Sequence, residues 1–276
     1  SSWTYRPEGQ IDSITPAAGQ VGTKVVIEGE SLRGHGDNVA SVKLAGQVAT
    51  PVGDSDTQVS VVAIAGDEGS GDVLITSNTG STVTLADGWT YAAEGEITDV
   101  SPASGQTGTV VQINGTSLLG GGSDVASISM AGVAVQNWSS VSADSVEVIV
   151  DTGDAGAGDI VITADSGAVV TGSDAWEYVE AAVFDSVVPD SGQQGTAVVI
   201  TGTGLYQGGA SADSVSFGSI STTITAQSDS EISVTVDSSG TADEAGDIVI
   251  VADSGAVAMA ADAYTSIEAG EITNVE

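Results

Sequence analysis

Carboxylates are the residues through which this sequence could do chemistry, and three loops concentrate them. Segment 67–72 carries Asp67 and Asp72, segment 151–159 carries Asp151, Asp154 and Asp159, and segment 237–247 carries Asp243 and Asp247. Hard cations take several oxygen ligands, so calcium is the ion these loops would suit. The carboxylate spacing matches neither an EF-hand nor the nonapeptide calcium repeat, which leaves charged, solvated turns as the competing reading. Asn114-Gly115-Thr116 and Asn137-Trp138-Ser139 are N-glycosylation triplets, so Asn114 and Asn137 are expected as candidate glycan acceptors.

Other chemistry has little to build on. His35 is the only histidine, it lies between Gly34 and Gly36, and no counterpart occurs elsewhere in the chain. A Ser-His-Asp system would need that ring beside an activated serine, and no nucleophile-elbow pattern is present. There is no cysteine, which excludes both disulfides and Cys-based zinc sites. The expectation is a non-enzymatic chain that requires no cofactor.

Charge narrows the partners. Thirty-eight acidic residues face four basic ones, giving a formal net charge of −34, and no Lys or Arg follows Lys43. A surface that binds nucleic acid needs Lys and Arg against the phosphates, so nucleic acid is excluded as a partner, and an anionic membrane is disfavoured for the same reason. No run of 18 apolar residues occurs, so no membrane insertion is expected. Self-repulsion of this size calls for screening by salt or divalent cations.

The elements that must carry these loops show themselves by repetition. Ile14-Thr15-Pro16-Ala17-Ala18-Gly19-Gln20-Val21-Gly22-Thr23 recurs as Val100-Ser101-Pro102-Ala103-Ser104-Gly105-Gln106-Thr107-Gly108-Thr109 and again as Val188-Pro189-Asp190-Ser191-Gly192-Gln193-Gln194-Gly195-Thr196, one residue shorter. Gly71-Asp72, Gly158-Asp159 and Gly246-Asp247 keep the same spacing, as do Trp89, Trp176 and Tyr264 near the end of each unit. A period of this length is a domain rather than a solenoid turn.

Within each unit the pattern alternates with period two. Val25 with Ile27, Val111 with Ile113, and Val198 with Ile200 share one face and are predicted core, while Lys24, Glu28, Gln112, Asn114 and Thr201 fall on the other. Further strands are predicted at 39–44, 58–64 and 72–76, separated by Gly, Asp and Ser turns, for about seven strands per unit. The glycines after each Pro imply tight turns at positive φ. Aromatics are only 4% of the chain and the apolar residues are mainly Val, Ile and Ala, which suits thin β-sandwiches.

The opening I-x-x-I-x-P-x-x-G-x-x-G-T-x-V-x-I-x-G and the closing W-x-Y resemble the IPT/TIG family, and three copies cover nearly the whole chain. The resemblance implies an all-β protein of three tandem immunoglobulin-like sandwiches serving as spacer, adhesion or binding modules, with no single activity attached. The third copy departs most, with Phe184 at its opening and Tyr264-Thr265-Ser266 in place of Trp-x-Tyr. The expected division is 7–93, 94–180 and 181–268. Residues 1–6 read as the closing strand of a preceding repeat and 269–276 as the opening of a following one, which predicts a longer array.

Three roles follow. The first is an extracellular or cell-surface structural or adhesive array whose partners are neighbouring repeats or copies of the same protein. The second is a carbohydrate-binding array facing surface glycans, for which Trp138 and Tyr206 are the aromatics not spoken for by the closing motif. The third is an accessory region of a secreted polysaccharide-active enzyme.

Overall fold

The computed structural model describes residues 7–238, 240–241 and 243–268. The segments expected to belong to flanking repeats, 1–6 and 269–276, lie outside the described residues. Every secondary-structure element described is a β-strand.

The first repeat runs β1 (Gln10–Thr15), β2 (Ala18–Gly19), β3 (Lys24–Glu30), β4 (Val39–Leu44), β5 (Gln47–Asp54), β6 (Gln58–Val62), β7 (Gly69–Ser77) and β8 (Thr82–Tyr91). Alternation builds the sandwich: Val25 and Ile27 of β3 and Val59 and Val61 of β6 face Val42, Leu44, Val73 and Ile75 from the opposite layer, all essentially inaccessible to solvent. The predicted core pairs of the other two repeats are buried in the same way. Two-residue strands raise the number per repeat above the predicted seven. β2 follows a cis Thr15–Pro16 bond, leaves β1 behind and pairs parallel with β8, so the first strand divides between the two layers.

One strand changes layers in a way the alternation does not reveal. β5 pairs with β4 through 47–49 and with β6 through 50–54, with a register shift between Pro51 and Gly53, so it stitches the two sheets into one hydrogen-bonded run, β1-β3-β6-β5-β4-β7-β8-β2.

The second repeat comprises β9 (Glu96–Ser101), β10 (Ser104–Gly105), β11 (Val110–Thr116), β12 (Val125–Met130), β13 (Val133–Ala134), β14 (Asn137–Ser139), β15 (Ser145–Ile149), β16 (Gly156–Ala164) and β17 (Val169–Tyr178). Here the crossing strand is broken into β13 and β14, and the sheets stay separate. The third comprises β18 (Val183–Val188), β19 (Ser191–Gly192), β20 (Ala197–Thr203), β21 (Ala212–Phe217), β22 (Ile220–Ser228), β23 (Glu231–Val236), β24 (Glu244–Ala252) and β25 (Val257–Ser266), with β22 continuous as in the first.

The closing aromatics are interior. Trp89 packs edge-on against Tyr91 and Trp176 against Tyr178, each pair at 5.7 Å between ring centroids. In the third repeat Tyr264 takes the tryptophan's place and lies 4.3 Å from Phe217, while Ser266 stands where the tyrosine would be. The lost ring leaves a cavity of about 50 Å³ beside Phe217, Ile220, Gly240 and Ser266.

Candidate functional site at the junctions between repeats

The fold itself employs the most regular carboxylates of the acidic loops. The Gly-Asp step of each repeat is a β-bulge, with register shifts between Gly71 and Val73, Gly158 and Ile160, and Gly246 and Ile248. A Cβ on Gly71 would press on Ala45 Cα at 2.8 Å, and one on Gly158 on Ala131 Cα at 2.7 Å, so the glycine is required there. The neighbouring carboxylate caps the facing strand: Asp72 accepts the amide of Asp87 at 3.1 Å, Asp159 that of Asp174 at 2.9 Å, and Asp247 that of Asp262 at 2.9 Å. Asp87, Asp174 and Asp262 all sit at positive φ, a conformation that such a bond helps hold.

Asp151 accepts the amide of Thr152 at 2.7 Å, and the Asp243 amide donates to the Ser266 carbonyl at 2.7 Å. Asp67 and Asp154 are exposed. Among the described residues no three His, Cys, Asp or Glu side chains come together to hold a metal ion. His35 is exposed, with Nε2 3.0 Å from the Pro7 carbonyl. Asn137 is exposed at the start of β14, whereas Asn114 is half-buried with its amide 3.3 Å from an Asp99 carboxylate oxygen.

The aromatics set aside for glycans are also otherwise engaged. Tyr206 is buried in the third core, where burial, with the Asp229 charge adding, raises its hydroxyl above the ordinary phenol range; Trp138 is half-buried against the second core. Among the described residues no Trp, Tyr or Phe is an exposed large hydrophobic.

Recurring, outward-facing geometry is found instead where one repeat meets the next, and the Gly-Gln-x-Gly-Thr motif builds it. Thr23 turns its hydroxyl back to accept the Gln20 amide at 3.1 Å, and Thr109 and Thr196 do the same for Gln106 and Gln193. A Cβ on Gly19, Gly105 or Gly192 would collide with that threonine. Gly22, Gly108 and Gly195 sit at φ of 88°, 85° and 87°, as the sequence required. The loop so closed presents one carbonyl and one amide at the end of the sandwich.

The hairpin turn of the following repeat takes both. Lys24 donates its amide to the Ser166 carbonyl at 2.9 Å, and Val169 donates to the Val21 carbonyl at 3.1 Å. At the next junction Val110 donates to Ser254 at 2.9 Å and Val257 to Thr107 at 2.9 Å. Gly22 stacks on Gly167 and Gly108 on Gly255. A Cβ on Gly108 would lie 2.7 Å from the Gly255 carbonyl, and one on Gly255 2.9 Å from the Gly108 carbonyl. Both turns read Asp-Ser-Gly-Ala-Val, at 165–169 and 253–257.

The leading Asp of each turn orders it. Asp165 accepts the Ser123 hydroxyl at 2.6 Å and the Ser123 amide at 2.9 Å, and these bonds hold its carboxyl below the usual carboxylate range. Asp253 accepts the Ala210 amide at 2.9 Å, with the same direction of shift.

Side chains distinguish the junctions. Gln20 reaches forward to accept the Gly95 amide at 2.7 Å, and a Cβ on Gly120 would strike its amide nitrogen. At the second junction Gln207 stands at the Gly120 position and is buried, while Gln106 turns back to the carbonyls of Gly153 and Val179, both at 2.8 Å. The backbone contact is common to both junctions and the side-chain filling is exchanged.

A family model described as the IPT/TIG domain matches residues 10–91, 96–178 and 182–266. No curated protein matches the chain. Among solved structures, the plexin A4 extracellular region is similar at 18% identity and a TM-score of 0.46, over 89% of this chain but 23% of that one. A surface glycan-binding protein, SGBP-B from a xyloglucan utilization locus of Bacteroides uniformis, is similar at 19% identity and a TM-score of 0.30, over 72% of this chain and 57% of that one. The I9–I11 tandem of titin is similar at 10% identity and a TM-score of 0.28, covering 96% and 98%.

Proposed function

The chain belongs to the IPT/TIG domain family, and on that footing we propose that it is a non-enzymatic structural or adhesive array working at a cell surface or outside the cell. One observation carries the reading: the same four-atom backbone contact is made at both junctions by residues one repeat apart, which is what a spacer of fixed geometry needs. Dense negative charge with no Lys or Arg after Lys43 keeps the sides of such an array soluble.

A glycan-binding role is the second reading, and Trp138 is the residue it would use, because β14, which carries it, lies at the edge of its sheet. Both readings are tested together. Immunogold labelling of intact cells should decorate the surface, and an intracellular label would contradict the first. A glycan array should be blank; binding that is lost in Trp138→Ala would move the assignment to the second.

A further inference from the structure

The second repeat differs from its neighbours at one sheet edge. In the first repeat the crossing strand lies against β6 with a proline, Pro51, and a register shift between Pro51 and Gly53. In the third it lies against β23 with a register shift between Ile224 and Ala226. Proline and bulges are both devices that keep an edge from pairing with another chain. β14 has neither. It pairs with β15 in three regular steps, Asn137 with Ile149, Trp138 with Val148 and Ser139 with Glu147, and it is the last strand of its sheet.

The edge without those devices is the one that carries the Asn137-Trp138-Ser139 triplet. The Trp138 amide donates to the Asn137 carboxamide oxygen Oδ1 at 2.9 Å, while Nδ2, the atom to which a glycan is joined, has no hydrogen-bond partner among the described residues. Asn137 and Ser139 are both exposed, and the Ser139 hydroxyl donates to Glu147 at 3.0 Å. The other triplet is placed differently. Asn114 lies in β11, which is paired on both sides, with β15 and with β9. Its side chain is half-buried, and its Nδ2 donates to Asp99 at 3.3 Å.

We propose that Asn137 is N-glycosylated, that Asn114 is not, and that the glycan covers the open edge of β14 as the proline and bulges do in the other repeats. This rests on the reading of the chain as one that works outside the cell, because the sugar is added on the route of export. The transfer joins Asn137 Nδ2 to the anomeric carbon of a lipid-phosphate-linked oligosaccharide. The carbon–nitrogen bond forms, the anomeric carbon–oxygen bond breaks, its electron pair leaves with the lipid phosphate, and one Nδ2 proton passes to base. Only Nδ2 is consumed, so Oδ1 keeps the Trp138 amide and the strand is undisturbed. A bulky, hydrated oligosaccharide at this position stands where another strand would have to approach. It also screens the neighbouring Trp138, which sets this proposal against a glycan-binding role for that residue.

Mass spectrometry of the chain recovered from its own cells tests the assignment. Cleavage before aspartate separates the two triplets, with Asn114 in peptide 99–123 and Asn137 in peptide 124–143. Peptide 124–143 should carry a series of sugar masses, placed on Asn137 by fragmentation that retains the sugar, and Asn114 should be bare. A bare Asn137, or a glycan on Asn114, would overturn the proposal. The role at the edge is read separately by light scattering. Asn137→Gln and Ser139→Ala, expressed in the same cells, should each lose the glycan and show a higher weight-average mass than the glycosylated chain at equal concentration. Equal masses would overturn the covering role. Immunogold labelling reports location independently, so a chain that labels the surface with Asn137 bare sinks this proposal and leaves the array reading standing.

Discussion

Core and junction are built on opposite terms. Each core is a closed set of Val, Ile and Leu around an aromatic, dry and local to one repeat. Each junction is glycine against glycine with two main-chain bonds, and a side chain enters only at its margin. Burial of that kind stabilises a fold by several kcal/mol per large side chain, whereas a hydrogen bond exchanged with water contributes about 0.5–1.5 kcal/mol. Stability therefore resides in the repeats, and the junctions contribute direction.

The largest effect should come from the core. Trp176→Ala should destabilise the second repeat by about 3–5 kcal/mol, read from denaturant unfolding through Trp138, the other tryptophan of that repeat. Tyr264→Ala should cost the third repeat less than that, because the wall beside it is already opened by the cavity at Ser266. Equal losses would mean the cavity is filled in solution.

Alkaline pH gives the next contrast. Burial, with the Asp151 charge adding, pushes the Tyr178 hydroxyl up to about 12, so the folded second repeat favours the protonated phenol. That contribution is fully present below the ordinary value near 10 and is lost as pH rises from there to about 12. The denaturation midpoint of the second repeat should fall across that window, and Tyr178→Phe should flatten the fall. A midpoint independent of pH in the wild type would contradict the burial.

Junction changes should barely register in stability. Val110→Pro removes one donor to Ser254 and should lower the unfolding free energy by about 1 kcal/mol or less while freeing the third repeat to reorient. Smallest of all is an acid effect. The carboxyls of Asp165 and Asp253 are held low by the bonds they accept, so turn order is complete above the ordinary carboxylate range and fades as pH falls through their folded values. Amide exchange at Ser123 and Ala210 should rise there while that at Ile162 and Ile250 stays slow.

The sequence made the cores legible because burial imposes a period. Alternation alone assigns Val111 and Ile113 to the core, and the predicted strand 39–44 coincides with β4. Side-chain period says nothing of main-chain partners, so the layer change inside β5 and both junctions were invisible to it. One signal was available: Asp-Ser-Gly-Ala-Val at 165–169 and 253–257 repeats identically on a surface turn, where solvation alone demands no identity. Abundance of carboxylate conceals a structural role at the regular Gly-Asp steps, where Asp72, Asp159 and Asp247 each accept a facing amide. Tyr206 lies outside the closing motif, so the sequence alone leaves it free for glycans, yet it is buried in the third core.

The central claim is that one recurring backbone contact fixes each repeat against the next. Small-angle X-ray scattering of dilute wild-type chain, compared with a Lys24→Pro/Val110→Pro variant, tests it directly. The account predicts a wild-type curve fitted by a single arrangement of three repeats, and a variant with unchanged circular dichroism whose curve requires a spread of arrangements. A wild-type curve that already requires that spread would contradict it.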